Sequence, residues 1–302
     1  MRGALARSLR QAVVYRLAGT SALRHLARVT GAAGRMGAMS DIDGMGTERA
    51  RCVLAPNPSP MTLDGTNTWI LAEPGSEQAI VIDPGPRDGE HLRRVVDTVA
   101  AQGRRVGLVL LTHGHPDHAA GAKRFAGLAG GPAVRALDPK HRLGAEGLAE
   151  GEVVALGGLE LRVLETPGHS DDSLSFWIPA DSAILTGDTV LGYGTTIVEG
   201  SLGDYLDSLQ RLREFAGEAG ARAILPGHGP KLDDPTGALD YYLQHRRERL
   251  AQVEAAVAAG ARTAREVVER VYADVDRSLW PAAEWSVRSQ LEYLRDRGAA
   301  GD

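Results

Sequence analysis

Six residues without charge, Val106-Gly107-Leu108-Val109-Leu110-Leu111, run directly into Thr112-His113-Gly114-His115-Pro116-Asp117-His118. The apolar run is too short for a helix and contains a glycine, so it predicts a strand buried on both faces. Three imidazoles and a carboxylate follow within six residues on a turn containing Gly and Pro. They cannot all point away from one another. Nitrogen and oxygen donors in this mixture suit zinc or a similar divalent cation. With nine histidines in 302 residues, three within six positions is hard to obtain by accident.

The other candidate donors sit in similar places. His169 lies in Thr166-Pro167-Gly168-His169-Ser170, after the strand predicted over 159–165. Asp188 follows Ala183-Ile184-Leu185 in Thr186-Gly187-Asp188-Thr189, and His228 follows Ala223-Ile224-Leu225 in Pro226-Gly227-His228-Gly229. Each comes just past the C-terminal end of a short apolar strand. Alone, His169 or His228 reads as an ordinary loop histidine. With the 113–118 cluster they complete seven donors, enough for two metals.

H-x-H-x-D-H followed by P-G-H, G-D and G-H-G resembles the metallo-β-lactamase superfamily, over about residues 51–235. The resemblance implies an α/β (α+β) αββα sandwich holding two metals at one edge. It implies that His113, His115 and His169 hold the first ion, that Asp117, His118 and His228 hold the second, and that Asp188 bridges both. Two zinc or similar divalent ions about 3.5–4 Å apart share a water and pull its pKa toward neutrality, giving a bridging hydroxide as nucleophile. Asp117 would orient that hydroxide or receive its proton.

The acid at 188 resembles glyoxalase II and tRNase Z rather than the antibiotic-hydrolysing members, and His115 disfavours the diiron oxygen-reducing branch. Asn57-Pro58-Ser59-Pro60-Met61-Thr62-Leu63-Asp64-Gly65-Thr66-Asn67-Thr68 and Gly187-Asp188-Thr189-Val190-Leu191-Gly192-Tyr193-Gly194-Thr195-Thr196 resemble the β-lactamase-like protein two group. That group implies cleavage of phosphodiesters such as single-stranded RNA, with a thioester or other acyl substrate as the alternative and a nucleic-acid-binding regulator as a third reading. Asn67, Thr195 and Thr196 are candidate substrate contacts. Asn67 can equally satisfy backbone groups at a strand end, and the threonines can simply form a turn.

Composition narrows the substrate further. Residues 1–40 carry seven Arg and no acid, leaving 27 basic against 39 acidic residues elsewhere, a formal charge of −12. So acidic a body lacks the footprint of a general nucleic-acid binder. The single cysteine, Cys52, excludes an intrachain disulfide and zinc sites built on cysteine pairs, and it points to a reducing, cytoplasmic compartment. No apolar run is long enough to span a membrane. Residues 1–45 read as an Arg-rich leader, either an organellar transit peptide or an over-long start.

The catalytic domain is expected over 46–235. Within it, helices are expected over 89–102, 119–130 and 204–219. Residues 236–302 are expected to form a separate helical, winged-helix-like module, with helices near 239–257, 263–273 and 282–297 and no hairpin for a wing. Thr263 with Glu266 matches a capping box. Arg246, Arg247 and Arg249 read as a solvated helix face, or as holders of phosphate or an acidic ligand. The sequence does not indicate an oligomeric state.

Overall fold

Two stretches of short apolar strands build two sheets, as the computed structural model of residues 39–299 shows. The first holds β1 (Ala50–Leu54), β2 (Asn67–Leu71), β3 (Gln78–Ile82), β4 (Arg105–Leu110) and β5 (Ala133–Arg135), in that spatial order. The second holds β6 (Val153–Leu156), β7 (Leu159–Glu165), β8 (Leu174–Ile178), β9 (Ala183–Gly187) and β10 (Ala223–Pro226), ordered β10-β9-β8-β7-β6. The β3–β4, β4–β5 and β9–β10 pairs are parallel and the others antiparallel.

Alternation along each strand assigns its two faces. On β2, Trp69 and Leu71 enter the core between the sheets while Ile70 packs outward. On β8, Leu174, Phe176 and Ile178 face inward and Trp177 outward. Outside the first sheet lie α1 (Gly89–Ala101), α2 (Pro116–Ala119) and α3 (Ala122–Leu128), with Leu92, Val95, Val99 and Phe125 buried against it. Outside the second lie α4 (Leu202–Glu218) and the start of α5 (Pro235–Ala258), through Tyr205, Leu209, Leu239 and Tyr242. Covered on both faces, β2, β8, β9 and β10 are buried at every position, whereas β7 alternates buried residues with exposed Glu160 and Arg162. The result is an αββα sandwich.

The structure changes expectations at single elements. The helix expected over 119–130 is two, because Gly121 packs on the turn after β3. A Cβ there would come within 2.6 Å of the Gly85 carbonyl oxygen. Just before the boundary expected at 45, Ile42 is buried in the core between the sheets and Met45 packs against it. The leader up to residue 38 lies outside the described residues. In the C-terminal region, α5 runs from the sandwich to the last helices. α5 packs Leu239 and Tyr242 on the second sheet, then Val253 and Ala256 against α6 (Ala264–Val271) and α7 (Trp280–Ala299). The capping box at α6 is also displaced by one residue. Thr263 Oγ1 accepts from Glu266 N at 3.2 Å, but Glu266 Oε2 accepts from Arg262 N rather than Thr263 N. Among the described residues no helix is long and apolar enough to cross a membrane.

Candidate metal centre

The loop after β4 is pinned by a carboxylate from the neighbouring strand. Asp83, at the end of β3 with φ +52°, accepts from Thr112 N at 2.8 Å and from Thr112 Oγ1 at 2.6 Å. Its Oδ2 also lies 2.9 Å from His118 Nδ1. Pro116 then opens α2, whose single turn places Asp117 and His118 beside His113 and His115. Parallel pairing of β9 and β10 sets the chain after Gly187 alongside the chain after Pro226, so Asp188 and His228 emerge as neighbours. Gly227 N bonds to the Gly187 carbonyl oxygen at 2.8 Å, and a Cβ at Gly227 would fall 2.3 Å from Asp188 Oδ1. Gly168, with φ +128°, lets the chain pass against the backbone of Tyr205 and brings His169 in from the β7–β8 loop.

All seven predicted donors meet. His115 Nδ1 lies 3.0 Å from both His113 Nε2 and His169 Nε2. Asp117 Oδ2 lies 3.3 Å from His118 Nε2 and 3.2 Å from His228 Nε2, and these two nitrogens are 3.3 Å apart. Asp188 touches both groups. Its Oδ2 is 3.1 Å from His228 Nε2 and 3.7 Å from His169 Nε2, and its Oδ1 is 3.4 Å from His118 Nε2.

The remaining ring nitrogens are committed elsewhere. His113 Nδ1 pairs with Thr112 Oγ1, His169 Nδ1 with the Ile197 carbonyl and Thr196 Oγ1, and His228 Nδ1 with the Gly65 carbonyl. Such outward partners fix ring orientation and tautomer and leave the inward nitrogens as donors.

The electrostatics fit a cation. Burial alone would raise the Asp188 pKa, yet the His228 and His118 imidazoles hold it well below the usual carboxylate range. Burial opposes charge on His118, but Asp188, Asp117 and Asp83 together raise it well above an ordinary histidine. The same contest pushes His228 up to about 9. His113 and His169 are held low, chiefly by burial. Two buried carboxylates thus demand positive charge here. Asp188 Oδ1 is buried without a hydrogen-bond partner, a costly state for a carboxylate oxygen that a cation would relieve. Among the groups of donor atoms close enough to share one ion, two consist wholly of the expected donors, His113-His115-His169 and Asp117-His118-His228; Asp83-His113-His118 overlaps both, and Asp138-His141-Asp172 shares no residue with them.

Of the substrate candidates, Thr195 and Thr196 line the cavity over the centre, with Thr196 also bonded to His169. Asn67 does not reach it. It is fully buried and donates to the Pro226 and Gly229 carbonyls at 2.9 Å each. Sequence reasoning missed Asp83 and Glu199, whose Oε2 is 3.3 Å from His115 Nε2. It also favoured a solvated face for the α5 arginines, whereas Arg246 is 5% exposed and lines the cavity with Arg249. The far wall, including Tyr272 and Ala283, comes from the C-terminal helices.

The sequence pattern of the Metallo-beta-lactamase superfamily matches residues 61–228, and that of the Beta-lactamase associated winged helix domain matches residues 263–300. The described residues of the second match hold α6 and α7 and no strand. A Beta-lactamase-like protein 2 homolog of Caenorhabditis elegans is 31% identical over 256 residues, covering 80% of this chain and 82% of its own. An Atrochrysone carboxyl ACP thioesterase of Aspergillus fumigatus is 33% identical over 236 residues, covering 73% and 72%. A solved Beta-lactamase domain protein from Burkholderia ambifaria aligns with a TM-score of 0.73 and 21% identity over 89% of this chain and 92% of that one.

Proposed function

The chain belongs to the metallo-beta-lactamase superfamily and is a hydrolase of that family, and from this premise we propose that it hydrolyses acyl thioesters at a centre of two zinc ions. His113, His115 and His169 would hold one ion, Asp117, His118 and His228 the other, and Asp188 both. When bound, such a pair acidifies a water into a nucleophile and polarises the carbonyl under attack.

The chain's own residues do the rest. Asp188 draws the triads together through its contacts to His169 and His228. Asp83 and the Gly65 carbonyl hold the outward Nδ1 atoms of His118 and His228, which keeps their Nε2 atoms turned to the centre. Asp117 is the more exposed of the two central carboxylates and lines the cavity. Its Oδ2 accepts a hydrogen bond from Thr66 Oγ1 at 3.0 Å, and Thr66 Oγ1 in turn accepts from Asn57 Nδ2. So oriented, it is the group placed to take a proton during attack. Thr195 borders the same space as a substrate contact.

The thioester reading is carried by the relative from Aspergillus fumigatus, named as a thioesterase and matched over most of both chains. The match to a winged helix domain favours single-stranded RNA as the second reading. The deciding experiment assays the zinc-loaded chain on a panel of acyl thioesters and on single-stranded RNA, with Asp188→Ala as control. Thioester turnover that disappears in the variant is expected. RNA cleavage that disappears in the variant, with no thioester turnover, would transfer the centre to the second reading. Turnover that survives in Asp188→Ala overturns both.

A further inference from the structure

Among the residues lining the cavity, every carboxylate lies at the metal edge or next to it: Asp117, Asp188 and Glu199. Glu199 is turned to His115. Helix α5 lines the same cavity with two guanidiniums, Arg246 and Arg249, and no acid. Arg246 is an unusual group to bury. Its Nη2 donates to the Thr196 carbonyl and its guanidinium lies 5.0 Å over the Tyr205 ring. Its Nε is buried with no hydrogen-bond partner, and no carboxylate pairs with it among the described residues.

A charge taken out of water without a counter-ion costs several kcal/mol of effective desolvation, on the order set by ion burial. Clamping the 195–197 loop needs only the bond from Nη2 to Thr196. It gives no reason for a full positive charge or an orphaned Nε. Arg249, one turn along, lies 4.4 Å over the Tyr272 ring and donates from Nη1 to Gln252 and the Val271 carbonyl. The adjacent His245 imidazole is held down to about 3, chiefly by burial and then by the two guanidiniums. Planar guanidiniums in such a setting match the oxygens of phosphate and carboxylate groups.

We propose that Arg246 and Arg249 form a subsite for an oxyanion, a phosphate or a carboxylate, carried by the substrate on a group other than the bond that is cut. This names the substrate class within the thioester reading and rests on it. The metal edge would take the acyl carbonyl while α5 takes the charge. A neutral thioester would gain only the first contact.

The test uses the zinc-loaded full chain and three esters. Butyryl-N-acetylcysteamine is neutral, butyryl-phosphopantetheine carries phosphate on the thiol side, and glutaryl-N-acetylcysteamine carries carboxylate on the acyl side. One anionic ester should exceed the neutral one in kcat/KM by about tenfold or more, the worth of one charge-assisted hydrogen bond. Whichever does so identifies the source of the anion. That ratio should fall toward one in Arg249→Gln and in Arg246→Gln, and partly return in Arg249→Lys.

Because the ratio is internal to each protein, a partly misfolded Arg246→Gln sample cannot imitate the result. A ratio near one in the unaltered chain, or a ratio that survives both glutamine variants, overturns the subsite. If no thioester is turned over, the thioester reading fails by itself. Calorimetric titration with inorganic phosphate and with glutarate then decides the subsite. About tenfold weaker binding of either ion by Arg246→Gln/Arg249→Gln supports it, and equal affinity for both ions rejects it.

Discussion

The first sheet delivers four of the seven donors, His113, His115, Asp117 and His118, from one loop after β4, whereas the second delivers His169, Asp188 and His228 after three different strands. The contiguous loop is fixed locally. Asp83 grips Thr112 at both backbone and hydroxyl, and holds His118 with the same carboxylate. The dispersed donors are fixed by sheet register and by close backbone passage at Gly168, Gly187 and Gly227. One half of the sandwich builds a four-donor platform, and the other supplies the third donor of each triad and the carboxylate that joins them. A defect in the joining piece should therefore cost more than a defect in the support.

The largest expected effect is at Asp188, the carboxylate that reaches both triads. Asp188→Ala should lower bound zinc from about two equivalents to one or fewer, with hydrolysis falling on the order of a thousandfold. Metal analysis of the purified variant reads the first quantity, and two retained equivalents would show that the triads do not depend on a shared acid. Next come the supports. Asp83→Asn keeps the shape but removes the charge behind His118, and should weaken zinc binding by about 10–100-fold. Thr196→Val removes one of two partners of His169 Nδ1 and leaves the Ile197 carbonyl in place, so its effect should stay below about tenfold. Competition with a chelator measures both. A larger loss at Thr196 than at Asp83 would reverse the order of the two halves.

The same contrast governs what could be read from the sequence. The 112–118 loop was legible because its donors are neighbours in the chain, and the three scattered donors because each ends an apolar run beside Gly or Pro. Asp83 was not. In Asp83-Pro84-Gly85-Pro86 it has the look of a turn residue, and only the pairing of β3 with β4 brings it under Thr112 and His118. β5 is three residues long and too short to show a period. Arg246 sits among charged residues of α5, so local pattern suggests solvent. Its burial comes from Tyr205 and the 195–197 loop docking on the helix. The break at Gly121 likewise depends on a partner, the Gly85–Pro86 turn, 35 residues away in sequence and adjacent in space.

Asn67 joins the two halves and gives the smallest expected effect on turnover. It opens β2 in the first sheet, yet its side-chain amide donates to the carbonyls of Pro226 and Gly229, on either side of His228. Its backbone N–H bonds to Gly227, and Trp69 Nε1 adds a second bond to Pro226 at 3.0 Å. Asn67→Ala would leave two buried carbonyls short of a donor and should cost about 1–3 kcal/mol of unfolding free energy, read as a lower denaturant midpoint. KM should not move, because the amide faces the seam between the sheets and not the cavity. A raised KM at unchanged stability would put Asn67 in contact with substrate instead.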